Sequence, residues 1–481
     1  MKFGLWALVW VVTSFSVAIA HPLVLQGVDT NNFRITTFAS GLIFPLGMAR
    51  LPDGSLLATV ADSPNIFSAT GRIVRFTDTN QDGVADAPEQ VLYAGLSSTQ
   101  TSLRQAGNLL LVTGQGTPIT ILRLGATPSS ALTLVGQIIL TYPGSWEHQH
   151  SALGVRKTPG QTNSYDVIFQ IGSRQNFAAS TNTVEMSNVN IPGAAGTLAG
   201  DAIHQITLQD DGTNVTATNL LQLAAGVRNP AGFAYQPATG DLYFADNGID
   251  GLTDPTEPLS ADELDFIART NLGGAVEFFG FPTNYTLYRY DTFVGGAGIP
   301  PLINFEPQPD PFSLNESEGA NDITFAPPGF PAGVNTGVFI GFHGQFNYGG
   351  LNNEENPVVY ADPVTKQYFH FILGQQPGIG HLDGLLATTD SLFVADLTTN
   401  GDLFASSAIG AGVIYQIKSL VAPPPPVLSV QKAGSQIKLV WDRGTLLQAD
   451  AINGSWKNAP DAFSPLLISP QSPVQFYRAA Y

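Results

Sequence analysis

The chain has no cysteine among its 481 residues. Disulfides, thiolate metal sites and cysteine nucleophiles are therefore excluded, and stability has to come from a core. Charge is sparse, at 12% of residues, and basic residues are the scarcer kind: 20 Lys and Arg against 38 Asp and Glu, a net charge of −18. That balance excludes duplex nucleic acid and anionic membrane surfaces as natural partners. Long apolar runs are missing too. Apart from LWALVWVV near the start, no stretch approaches the ~20 apolar residues of a membrane-spanning helix. That one run follows Lys2 and ends at Ala18-Ile-Ala20, the pattern of a cleavable export signal over residues 1–20. The mature chain is then expected to begin at His21 and to work outside the cytoplasm.

What is abundant is glycine, at 50, and proline, at 34, the composition of many short strands joined by tight turns. Three segments repeat one design: GLIFPLGMARLPDGSLLATVADS from Gly41, GVRNPAGFAYQPATGDLYFADNG from Gly226, and HLDGLLATTDSLFVADL from His381. Each reads Gly, apolar strand, turn, second apolar strand ending near Asp. Weaker copies start at Ser102, His150 and Asn321. Six such units predict an all-β, six-bladed β-propeller over residues 21–420. A β-sandwich with insertions does not explain the recurrence. The polyproline run of residues 421–427 reads as a stiff linker. Residues 428–481 read as a small C-terminal β-module standing off on that stalk, with nothing catalytic in it.

A twelve-residue loop carries the sharpest spacing. Asp78, Asn80, Asp82, Asp86 and Glu89 fall at positions 1, 3, 5, 9 and 12, Gly83 at position 6, and Val84 can give a carbonyl at position 7. Oxygen donors so spaced suit a calcium ion, here between two strands rather than two helices. The competing reading is a polar hairpin tip, which the same composition favours.

The run from Gly226, followed by Ala261-Asp-Glu-Leu-Asp265 and Phe279-Gly-Phe-Pro282, resembles the glucose/sorbosone dehydrogenase family. Those proteins are propellers that use pyrroloquinoline quinone (PQQ) and calcium to oxidise sugars, and the resemblance spans Phe38 to Lys418. It implies that His150 is the base accepting the hydroxyl proton, that Arg228 and Asn229 contact the quinone, and that Gly248, Asp262 and Glu263 hold calcium. An imidazole suits such a base, and an arginine suits charge developing on quinone oxygens. His148 competes with His150 for that role. In the second half of the ring, His343 and His381 stand where the family's cofactor contacts fall, but its two clamping arginines are absent and Asp383 lies beside them. The expectation is an exported quinoprotein oxidising a sugar or related alcohol, with an electron acceptor the sequence does not name. The alternative is a non-catalytic, calcium-stabilised propeller binding a glycan or protein at its channel mouth.

Overall fold

The computed structural model describes residues 23–251, 256–288, 290, 292–306, 319–344, 346–352, 357–459, 462–469 and 474–480. The proposed export signal lies outside them. The described residues are almost entirely strand, with three one-turn 3₁₀ segments. None forms a helix long and apolar enough to cross a membrane.

Each repeated unit of the sequence opens one sheet, antiparallel throughout except where Val215–Ala225 pairs in parallel with Glu277–Phe278 in the third. The first comprises Met48–Arg50, Leu56–Ala61, Thr70–Phe76 and Gln90–Ser97. The second starts at Ser102–Ala106, the third at Leu153–Lys157, the fourth at Pro230–Tyr235, the fifth at Ala320–Phe325 and the sixth at Gly384–Ala387. These opening strands contact one another in chain order, and the sixth also touches the first. The sixth sheet is completed by Phe33–Leu42 from the N-terminal end, paired with Gly412–Ser419, so the two ends of the domain share one sheet.

Apolar burial explains why the sheets stack face to face. Alternate residues of a strand point to opposite faces. In Leu109–Thr113, Leu109 and Leu111 join a core shared with the third sheet, while Leu110 and Val112 join one shared with the first. The same sharing recurs around the molecule, giving six cores, each between neighbouring sheets. A strand buried on both faces needs an unbroken apolar run, and LLLV and LFVA are such runs. This is a β-propeller.

The C-terminal residues form two three-stranded sheets. They do not stand off on a stalk. Their small core, around Leu439, Trp441 and Leu446, includes Ala238 from a turn of the fourth sheet. The Ser464 amide donates to Ala238 O at 2.7 Å, and Arg269 lies over the Phe463 ring at 5.1 Å.

Candidate functional site

The ends of the opening strands meet in a pocket of about 480 Å³. Its walls include Phe67 from the first sheet, Gln115 from the second, Glu147 to Gln149 leading into the third, Arg228, Asn229 and Asn247 of the fourth, Asn321 of the fifth, and His343 with Phe346 after the fifth sheet's second strand.

The fourth sheet shows how the sequence builds its share. Pro230–Tyr235 pairs with Leu242–Asp246 through the turn around Gly240, which sets Pro230 opposite Asp246. Asp246 then accepts the Arg228 and Asn229 amides at 2.9 and 2.5 Å, fixing both residues at the pocket wall. Burial raises the Asp246 carboxyl to about 7, against these two amides, which lower it. Gly232 has to lack a side chain, because a Cβ there would sit 2.2 Å from Asn321 O of the fifth sheet.

Arg228 is almost fully buried, and its guanidinium is well engaged. It donates to Asn176 O at 3.0 Å and Asn247 O at 3.3 Å, and forms an ion pair with Asp250 at 3.0 Å. Asn229 donates through Nδ2 to Asn247 Oδ1 at 2.8 Å. Both line the pocket.

His150 does not face it. The residue is 0% exposed, stacked on Tyr142, with Nδ1 2.8 Å from the Tyr142 hydroxyl and Nε2 2.6 Å from Thr117 O. Burial depresses its pKa to about 4. With both nitrogens held inside the protein it ties the second sheet's loop to the third sheet, and it cannot reach a ligand. The histidine that lines the pocket is His148, two residues earlier, with Nδ1 2.8 Å from Ser173 Oγ. Burial, reinforced by the nearby Arg228 charge, holds it well below its ordinary pKa, so it is a neutral imidazole. Along an extended chain both residues fall on the same parity, so spacing could not choose between them.

His343 also lines the pocket, with Nδ1 2.8 Å from Asp383 Oδ2. Its ring stacks on His381 at 4.1 Å. His381 is buried behind it and points Nδ1 at His343 O and Nε2 at Gly401 O, so it buttresses His343 rather than meeting a ligand.

Carboxylates in both sets of candidate calcium donors accept hydrogen bonds from nearby amides. In the 78–89 loop, Asp78 accepts the amides of Asp82 and Gly83, Asp82 that of Val84, and Asp86 that of Thr79. The Asn80 amide donates to Asp82, the Val84 side chain points outward, and Glu89 pairs with Arg72 at 2.6 Å. Three of the loop's carboxylates, Asp78, Asp82 and Asp86, thus accept from its own N–H groups. At the second place, Asp262 uses one oxygen on the Gly248 amide at 2.7 Å and the other on Ala320 N at 2.9 Å, stitching the fourth sheet to the fifth. Glu263 faces a separate cavity of about 20 Å³ lined also by Asp246. Burial and the neighbouring carboxylates of Asp265, Asp246 and Asp262 push Glu263 well above the usual carboxylate range. Among the described residues no three His, Asp or Glu side chains gather into a metal-holding cluster.

The pocket does not fit PQQ. Three carboxylates need several unengaged cations to offset their desolvation. The pocket offers Arg228, already paired with Asp250, and two histidines, one neutral and one tied to Asp383. Glu147 and Asp250 add negative charge to the same walls.

No family model matches the chain. A Borreliella burgdorferi protein described only as uncharacterized is 31% identical over 132 residues, covering 26% of this chain and 30% of that protein. The match thus spans about a third of that relative's length. Among solved structures, the PQQ domain of pyranose dehydrogenase from Coprinopsis cinerea superposes with a TM-score of 0.53 at 14% identity, over 83% of this chain and 98% of that one. A Trichoderma reesei enzyme of carbohydrate-active family AA12 gives 0.53 and 14%, over 85% and 100%. The fold is that of a sugar-dehydrogenase-like β-propeller, far diverged in sequence.

Proposed function

We propose that the protein binds a neutral carbohydrate at the mouth of a closed six-bladed ring, and that it does so after export. The ring is supported by the cyclic contacts of the six opening strands. The observation that carries the ligand class is the pocket's lining. At about 480 Å³ it suits one or two sugar rings. Its hydrogen-bonding groups are mostly uncharged, among them Asn229, Asn247, Asn321, Gln115, Gln149 and neutral His148; the one guanidinium, Arg228, is paired with Asp250, and Glu147 adds a further carboxylate. Hydroxyls find donors and acceptors there, whereas an anion meets repulsion. Titration calorimetry with neutral sugars and their uronic acids is the test. Binding of the uronic acids in preference would overturn the reading.

A second reading, an exported quinoprotein dehydrogenase using PQQ and calcium, runs against the pocket's charge, and one observation stands on its side: Arg228, Asn229 and a neutral histidine share a single pocket. Adding PQQ and calcium, then following cofactor absorbance and dye reduction with a panel of sugars, decides it. Absence of a bound-cofactor spectrum leaves the binding reading alone.

A further inference from the structure

Three phenylalanines at the rim of the pocket are unusually open: Phe67 is 60% exposed, Phe346 45% and Phe404 44%. They come from loops of three different sheets, yet they touch. Phe67 and Phe404 have ring centroids 6.0 Å apart, Phe404 and Phe346 5.6 Å, and Phe346 lies 5.6 Å from the ring of His343 on the pocket wall. The result is a continuous strip of ring faces running from the surface into the pocket, where Phe67 and Phe346 are themselves lining residues.

The rings are not needed to hold these loops together. Ile66 N donates to Leu403 O at 2.9 Å, and Leu403 N donates to the Asn347 side-chain Oδ1 at 3.0 Å, so these hydrogen bonds already tie all three loops. Beneath them Leu403 sits in a separate buried core with Phe44, Leu46 and Leu397. Asp402 and Asn65 accept the amides of Phe404 and Phe67, setting where each ring leaves the backbone. Exposed apolar rings held on a rigid frame beside a polar pocket are the arrangement of a binding surface. A pyranose ring with equatorial hydroxyls presents an apolar C–H face that lies flat on such a ring, while its hydroxyls stay in water.

We propose that this strip is an outer subsite for the successive rings of a neutral, equatorially substituted oligosaccharide whose end enters the pocket. The inference rests on reading the pocket as a carbohydrate site and specifies its substrate as longer than one sugar.

The test measures binding of cello-oligosaccharides of increasing length to the full chain by calorimetry. Affinity should rise with length by about tenfold or more, the size expected when one well-placed aromatic anchor is engaged. Phe404→Ala should reduce the ratio of long-chain to single-sugar affinity toward one, and Phe404→Trp should restore it. If Phe404→Ala does not fold, as judged by its melting temperature, Phe67→Ser carries the same comparison. A ratio unchanged in folded Phe404→Ala or Phe67→Ser overturns the outer subsite. So does binding of single sugars with no gain from length, and in that case the pocket reading stands. Failure of every sugar, short or long, removes both.

Discussion

Arg104 and Asp322 form an ion pair between the second sheet and the fifth, and removing one partner should destabilise the domain. Arg104 sits on the opening strand of the second sheet and Asp322 on that of the fifth, with Nη2 to Oδ1 at 2.5 Å. Their side chains are 17% and 6% exposed. Asp322 also accepts the Ile323 amide at 3.0 Å and, more weakly, that of Leu385 in the sixth sheet at 3.4 Å. Burial raises the Asp322 carboxyl while Arg104 opposes that rise. In Arg104→Met the carboxylate stays buried with only amides facing it, a situation that costs about 3–5 kcal/mol. An unfolding entropy of ~2.1 cal/mol/K per residue over roughly 400 residues puts 1 kcal/mol at ~1.2 °C. The expected loss is therefore ~4–6 °C in melting temperature, read by calorimetry near neutral pH. Arg104→Met/Asp322→Leu should recover most of it, because no charge is left stranded. At acid pH the deficit of the single variant should shrink, since protonation removes the stranded charge. A single variant within about 1 °C of the parent, or a double variant no better than the sum of the singles, would refute the argument.

Exchanging the two neighbouring histidines separates a positioning role from a ligand contact. His150→Ala should lower the melting temperature by stranding Tyr142 and the Thr117 carbonyl, whereas His148→Ala should weaken sugar binding with little change in stability; the reverse pattern would return His150 to the site. Calcium and chelator should leave the melting temperature unchanged, because the 78–89 loop is closed on its own amides and Glu89 is held by Arg72; a calcium-dependent rise abolished by Asp82→Ala would restore the loop as a metal site. Asp396, pushed up to about 7 by burial against three amides that lower it, binds a proton more readily folded than unfolded. Its contribution is fully present below the ordinary carboxylate range and is lost as pH rises through about 7. The melting-temperature deficit of Asp396→Asn should therefore be larger at pH ~4 than at pH ~7.5, and a deficit independent of pH would contradict the assignment.

The repeat itself was open to reading because each sheet obeys local rules. Alternating or fully apolar strands of five or six residues, broken by glycine turns, can bury both faces only by stacking against copies of themselves, so the recurrence of one unit was enough to imply a propeller. The place of Arg228 and Asn229 has a related local basis: both immediately precede the strand Pro230–Tyr235, and they line the pocket. The site's remaining features depend on distance in space. Whether His148 or His150 enters the pocket is decided by Tyr142 and Thr117, which capture His150. The spacing of Asp78, Asn80 and Asp82 is a local pattern, but which groups reach those carboxylates is not: the Asp82 and Gly83 amides meet Asp78, and the Val84 amide meets Asp82. The docking of Phe463 against the fourth sheet and the aromatic strip of Phe67, Phe346 and Phe404 had no local signal. Their partners lie dozens to hundreds of residues apart. Local patterning determined which segments become strands and that they must stack. The tertiary structure alone decided which side chains at the ends of those strands have their hydrogen bonds satisfied internally and which are left facing the pocket.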